Sequence, residues 1–83
     1  MKILYFAWLR ERLNRSDEEV TPPAGVETVA DLIQWLRQSD EAADLAFEKP
    51  TLIRAALDGR IVDHATPLNG ARVVALFPPM TGG

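Results

Sequence analysis

Thr28-Val29-Ala30-Asp31-Leu32-Ile33-Gln34-Trp35-Leu36-Arg37-Gln38 is the stretch on which the architecture turns. Val29, Leu32, Ile33 and Leu36 recur at i, i+3, i+4 and i+7, the spacing that lines one face of a helix. Thr28, with Asp31 three residues on, forms a capping-box pattern with Asp in place of the usual Glu or Gln, so the helix begins there. The stripe is expected to be core, with Gln34, Arg37 and Gln38 outside it and Trp35 packing along its flank. A helix of this kind needs a sheet to lie on. The chain on either side supplies the strands.

Upstream, Lys2 to Trp8 is aromatic and branched without a helix breaker, and reads as a strand buried on both faces. Ile3, Tyr5 and Ala7 share one face; Leu4, Phe6 and Trp8 share the other. Leu9 to Asn14 has helix formers for a turn or two, and Glu18 to Thr21 makes a short second strand stopped by Pro22 and Pro23. Downstream, Ser39 to Phe47 reads as a second short helix capped by Ser39 or Asp40, and Pro50 bars its continuation. Thr51 to Leu57 is strand-like, Asp58-Gly59 is a two-residue hairpin signal into Arg60-Ile61-Val62, and Asn69-Gly70 marks another tight turn. Arg72 to Phe77 is the last strand. Being the most apolar, the first and last strands are expected side by side at the centre of the sheet, joined through the helix. Strand, strand, helix, strand, strand is an α+β order. It predicts a β-grasp domain over residues 1–77, with a mixed four- to five-stranded sheet and one main amphipathic helix packed across it.

At 83 residues the chain has room for one small core, and its 47% apolar and 25% charged residues are ordinary globular composition. With no cysteine it has no thiolate nucleophile or thiolate metal site. A net charge of −3 gives no electrostatic case for nucleic acid. The longest apolar runs fall far short of the roughly 20 residues that span a bilayer, and no secretory leader is recognisable, so no membrane partner is expected and the location reads as cytoplasmic. His64 beside Asp63 lacks a nucleophile at any recognisable spacing and reads as a solvated loop residue. The acidic run Asp40, Glu41, Asp44 and Glu48 lacks the spacing of a calcium loop and reads as a solvated helix face; no metal and no bound cofactor are implied. Nothing unites an acid, a base and a nucleophile. The domain is therefore expected to be a substrate or carrier for other enzymes, and no enzyme on its own.

That expectation rests on residues 78–83, Pro78-Pro79-Met80-Thr81-Gly82-Gly83. Pro78 and Pro79 favour an extended backbone and stiffen the root of a tail. Gly82 and Gly83, without a Cβ, let a partner approach the backbone closely, as threading into a narrow channel requires. Read as a C-terminus, Gly83 offers an ionised carboxylate, a poor electrophile until another protein activates it as a mixed anhydride with a nucleotide phosphate.

Phe77-Pro78-Pro79-Met80-Thr81-Gly82-Gly83 resembles the Phe-Pro-Pro-Val-Thr-Gly-Gly ending of the small, sulfur-carrier subunits of molybdopterin synthase, with Met80 for the usual valine. Lys2-Ile3-Leu4-Tyr5-Phe6-Ala7 followed by Leu9-Arg10-Glu11 resembles that family's first strand and first turn. The resemblance implies a ubiquitin-like fold. It implies a Gly83 carboxylate adenylated by an ATP-dependent activating enzyme, converted to a thiocarboxylate, and inserted through Pro78 to Gly82 into the large synthase subunit to donate sulfur to a pyranopterin precursor. It matches Phe6, Ile61 and Phe77 to an apolar surface that docks on both partners, and Arg10 to a polar neighbour. Ordinary core burial is the competing reading for Phe6 and Ile61. A carrier for thiamine thiazole or another sulfur product, a protein modifier attached through Gly83, and an inert β-grasp interaction module are the rival functions.

Overall fold

A computed structural model describes residues 1–79; the readings made for Met80, Thr81, Gly82 and Gly83 lie outside the described residues. Among these residues the elements follow in the order β1 (Lys2–Tyr5), α1 (Trp8–Leu13), β2 (Asp17–Glu19), α2 (Val29–Arg37), α3 (Glu41–Ala46), a 3-10 turn (Pro50–Leu52), β3 (Arg54–Leu57), β4 (Arg60–Val62) and β5 (Val73–Phe77). The strands form one five-stranded mixed sheet in the order β2-β1-β5-β3-β4. The first and last strands are adjacent, central and parallel, Ile3 opposite Val74 and Tyr5 opposite Leu76. The other pairs are antiparallel. This is the expected β-grasp order.

The capping box at Thr28 is complete. Thr28 Oγ1 accepts from the Asp31 N–H at 3.2 Å, while Asp31 Oδ2 accepts from the Thr28 and Glu27 N–H groups, each at 3.1 Å. Two further donors at this helix start reach the loop before β5: Val29 N–H to the Thr66 carbonyl (3.1 Å) and Ala30 N–H to that of His64 (2.9 Å). The start of α2 is thereby saturated from both sides, as its free donors require. Val29, Leu32, Ile33 and Leu36 are all buried, and they meet the inward residues of the sheet, Ile3, Tyr5, Ala55, Val74 and Leu76. Phe47, just after α3, is also fully buried, its ring 6.4 Å from that of Tyr5. The buried Tyr5 phenol donates to Glu18 Oε2 at 2.6 Å, and Arg15 bridges Glu18 to Asp40, the residue that caps α3 through the Ala43 N–H at 2.7 Å. Burial first, and then the bond to Glu18, push the Tyr5 phenol pKa up, so it stays a donor at any physiological pH.

Several expectations are corrected. The first strand ends at Tyr5 and not at Trp8, because Ala7 takes φ 55° and the chain turns into α1. The second strand lies slightly earlier than Glu18 to Thr21. Thr51 does not begin a strand: Pro50 starts a 3-10 turn, and β3 opens at Arg54. His64 stays in its loop but is tethered, Nε2 lying 2.7 Å from the Ile53 carbonyl. The central strands are not covered on both faces, since Leu4, Val73, Ala75 and Phe77 remain half-exposed on the side away from the helices. The Asp58-Gly59 and Asn69-Gly70 turns form as read, with φ positive at all four residues. Asp40 and Asp44, from the acidic run, are engaged with Arg15 and Arg37, each at 3.0 Å. Among the described residues no helix is long and apolar enough to cross a membrane.

The two capping carboxylates predict an acid limb. Asp31 is held below the ordinary carboxylate range by the Glu27 N–H and then the Thr28 N–H, and Asp40 by the Ala43 N–H and then Arg15. Depressed folded values mean that the unfolded chain takes up protons first. Their contribution is complete above the unfolded value of about 3.9 and is lost as pH falls through the lower folded values. The thermal midpoint is expected to fall below about pH 4, and Asp31→Asn to reduce that fall while retaining a capping oxygen. An unchanged acid limb in Asp31→Asn contradicts the assignment.

Candidate docking face

The uncovered side of the sheet follows from strand parity and register. Leu4, Ala75, Ala56 and Ile61 form a row across β1, β5, β3 and β4, Leu4 pairing with Ala75, Ala75 with Ala56, and Ala56 with Ile61. One step toward the end of β5, Phe77 faces Arg54. Phe6 continues the ladder beyond β1, its N–H donating to the Leu76 carbonyl at 3.2 Å. Phe6 and Phe77 therefore stand at the same end of the sheet, where Pro78 and Pro79 depart half-buried. Phe6 is 44% and Ile61 62% exposed, which removes the core reading for both. Arg10 is exposed on α1, outside the sheet. The structure thus unites Phe6, Phe77 and Ile61 on one apolar face at the root of the tail, with Arg10 carried on the neighbouring helix.

Ala7 turns the chain immediately after Phe6. Its φ of 55° and ψ of −135° lie in a region that suits glycine and strains an alanine by about 1–3 kcal/mol. The bend comes directly after Phe6 and starts α1 at Trp8, where Arg12 lies 5.2 Å from the indole ring. Ala7→Gly is expected to leave stability unchanged or raise it by up to about 1 kcal/mol, because relief of strain offsets the added freedom of the unfolded chain. Ala7→Val, β-branched at positive φ, is expected to cost at least about 1 kcal/mol. Denaturant titration of the two variants checks these opposite signs.

Leu4 and Ala75 complete the face and were not singled out in the sequence. Arg54 was missed as well. The available signal was strand alternation carried through to the outward residues, but an apolar outward residue looks the same as one facing a second core layer.

A five-stranded mixed sheet with its longest helix across one face and its other face open defines the chain first as a β-grasp domain. The sequence matches the ThiS family over residues 3–83, and the chain belongs to that family. It is 36% identical over 83 residues to the molybdopterin synthase sulfur carrier subunit of Escherichia coli (strain K12), covering 100% of this chain and 99% of that protein. Among solved structures, a Pyrococcus furiosus protein assigned as molybdopterin converting factor, subunit 1, superposes with a TM-score of 0.73 at 27% identity, covering 95% of each chain. SAMP1 from Haloferax volcanii superposes with a TM-score of 0.71 at 25% identity, covering 100% of this chain and 98% of that one.

Proposed function

We propose that this chain is the sulfur carrier of molybdopterin synthase. Three features support the reading: the near-complete alignment with the Escherichia coli carrier subunit, the Phe77-Pro78-Pro79-Met80-Thr81-Gly82-Gly83 ending, and the exposed apolar face at the root of that ending. The last carries it, because a domain that delivers its own terminus needs a surface that seats it beside the mouth of the receiving pocket.

In this reading Phe6, Ile61 and Phe77 seat the domain on an activating enzyme and, in turn, on the large synthase subunit, with Arg10 as polar neighbour. Pro78 and Pro79 start the tail along the partner's surface, and Met80 to Gly82 thread it. The chain holds no cofactor; ATP belongs to the activating enzyme. The Gly83 carboxylate oxygen attacks the α-phosphorus of ATP, pyrophosphate leaves, and the acyl-adenylate becomes the electrophile that the free carboxylate is not. A hydrosulfide equivalent attacks the acyl carbon and AMP leaves, giving the thiocarboxylate. Transfer of that sulfur to the pyranopterin precursor in the large subunit, completed by water, returns the carboxylate. All of this takes place in the cytoplasm.

Intact-mass analysis after co-expression with the activating enzyme is expected to show sulfur in place of one terminal oxygen. An unmodified carboxylate under those conditions defeats the carrier reading. Reconstitution of loaded protein with the large subunit and pyranopterin precursor is expected to yield sulfurated pterin. Failure there, with loading intact, defeats the molybdopterin reading.

A further inference from the structure

Beside Ile61 the edge of the sheet is undercut by a hollow of about 510 Å³, lined by Pro50, Ile53, Arg54, Ile61, Asp63 and His64. Two of its polar side chains are already engaged. Asp63 Oδ1 accepts from the Ala65 N–H and the Thr66 hydroxyl, each at 3.0 Å, and the His64 ring is tied to the Ile53 carbonyl at 2.7 Å. Arg54 differs. It is exposed, stands opposite Phe77 on the apolar face, and among the described residues has no carboxylate partner, the ion pairs there using the N-terminal amine, Arg15 and Arg37.

Resting on the proposed function above, we infer that Arg54 is a specificity-determining residue: the large synthase subunit presents a carboxylate side chain to it in this hollow, next to the apolar contact at Ile61. The chemistry follows from the setting. A partner that covers Ile61 and Phe77 excludes water from the guanidinium between them, and an unpaired cation there would oppose docking. A carboxylate satisfies it in a two-pronged geometry that lysine or an amide cannot reproduce. The pair fixes the rotation of the domain about the apolar contact, and hence the direction in which the tail leaves. It also penalises partners with a neutral or basic surface at this point.

The test is calorimetric titration of the full chain with the large subunit at low and high salt. Wild type is expected to bind with an affinity that falls as salt rises. Arg54→Gln is expected to bind roughly 10-fold more weakly with a shallower salt dependence, and Arg54→Glu roughly 100-fold more weakly, both with an unchanged thermal midpoint. Arg54→Lys is expected to keep the salt dependence while recovering only part of the affinity. Wild-type affinity in both Arg54→Gln and Arg54→Glu overturns the assignment of Arg54 and leaves the proposed function standing. Absence of binding by wild type overturns both.

Discussion

Appending one residue after Gly83, or replacing Gly82 with Trp, is expected to reduce sulfur transfer by at least about 100-fold while the thermal midpoint stays where it was. The two changes act on different steps. An added residue removes the carboxylate from Gly83 and places another one bond-length series further on, so the group that reaches the activating pocket is displaced by a full residue, about 3.5 Å. A displacement of even 1 Å from attack geometry costs on the order of 100-fold in rate. Gly82→Trp leaves the terminal group intact but adds a side chain where threading requires bare backbone. The first variant should fail at loading, seen as a missing mass change with the activating enzyme. The second should lose transfer even when some loading survives. Among the described residues the buried core runs from Ile3 to Leu76, so neither change alters a side chain of that core. Undiminished transfer by either variant contradicts the threaded-tail model.

The reach of the sequence was uneven in a physically intelligible way. The helix at Thr28, its cap and its four buried residues were readable because side-chain period and capping chemistry are local. The central parallel pairing of β1 and β5 was readable from apolar content and topology alone. Boundaries failed where backbone conformation overrode side-chain type. Ala7 carries no sign of its positive φ, and Thr51, strand-like by composition, is taken up by the turn that Pro50 begins. The larger error was to cover both faces of the central strands. A docking face is apolar for the same reason a core is, the removal of water, and only the layer on the other side tells them apart. Among the described residues no such layer covers that face. The same ambiguity left Phe6 and Ile61 undecided between core and contact, and hid Arg54, whose position beside Phe77 depends on a register no single strand reveals.

Ile61→Asp separates folding from docking most cleanly. Ile61 is 62% exposed on edge strand β4, so folding removes little of it from water, and the substitution should move the thermal midpoint by less than about 5 °C. In the complex the balance reverses. A carboxylate buried against an apolar partner surface loses the aliphatic contact and its own hydration, and the affinity for the large subunit is expected to fall by at least about 100-fold. Leu32→Ala is the mirror image. Leu32 is fully buried beneath α2, and its truncation is expected to cost about 2–5 kcal/mol, a large part of the roughly 5–15 kcal/mol that holds a small domain together, while the affinity of the molecules that remain folded is unchanged. If Ile61→Asp instead unfolds the protein, the face is structural. If it binds as wild type does, the partner does not sit on this face, and the tail must be delivered from another side of the sheet.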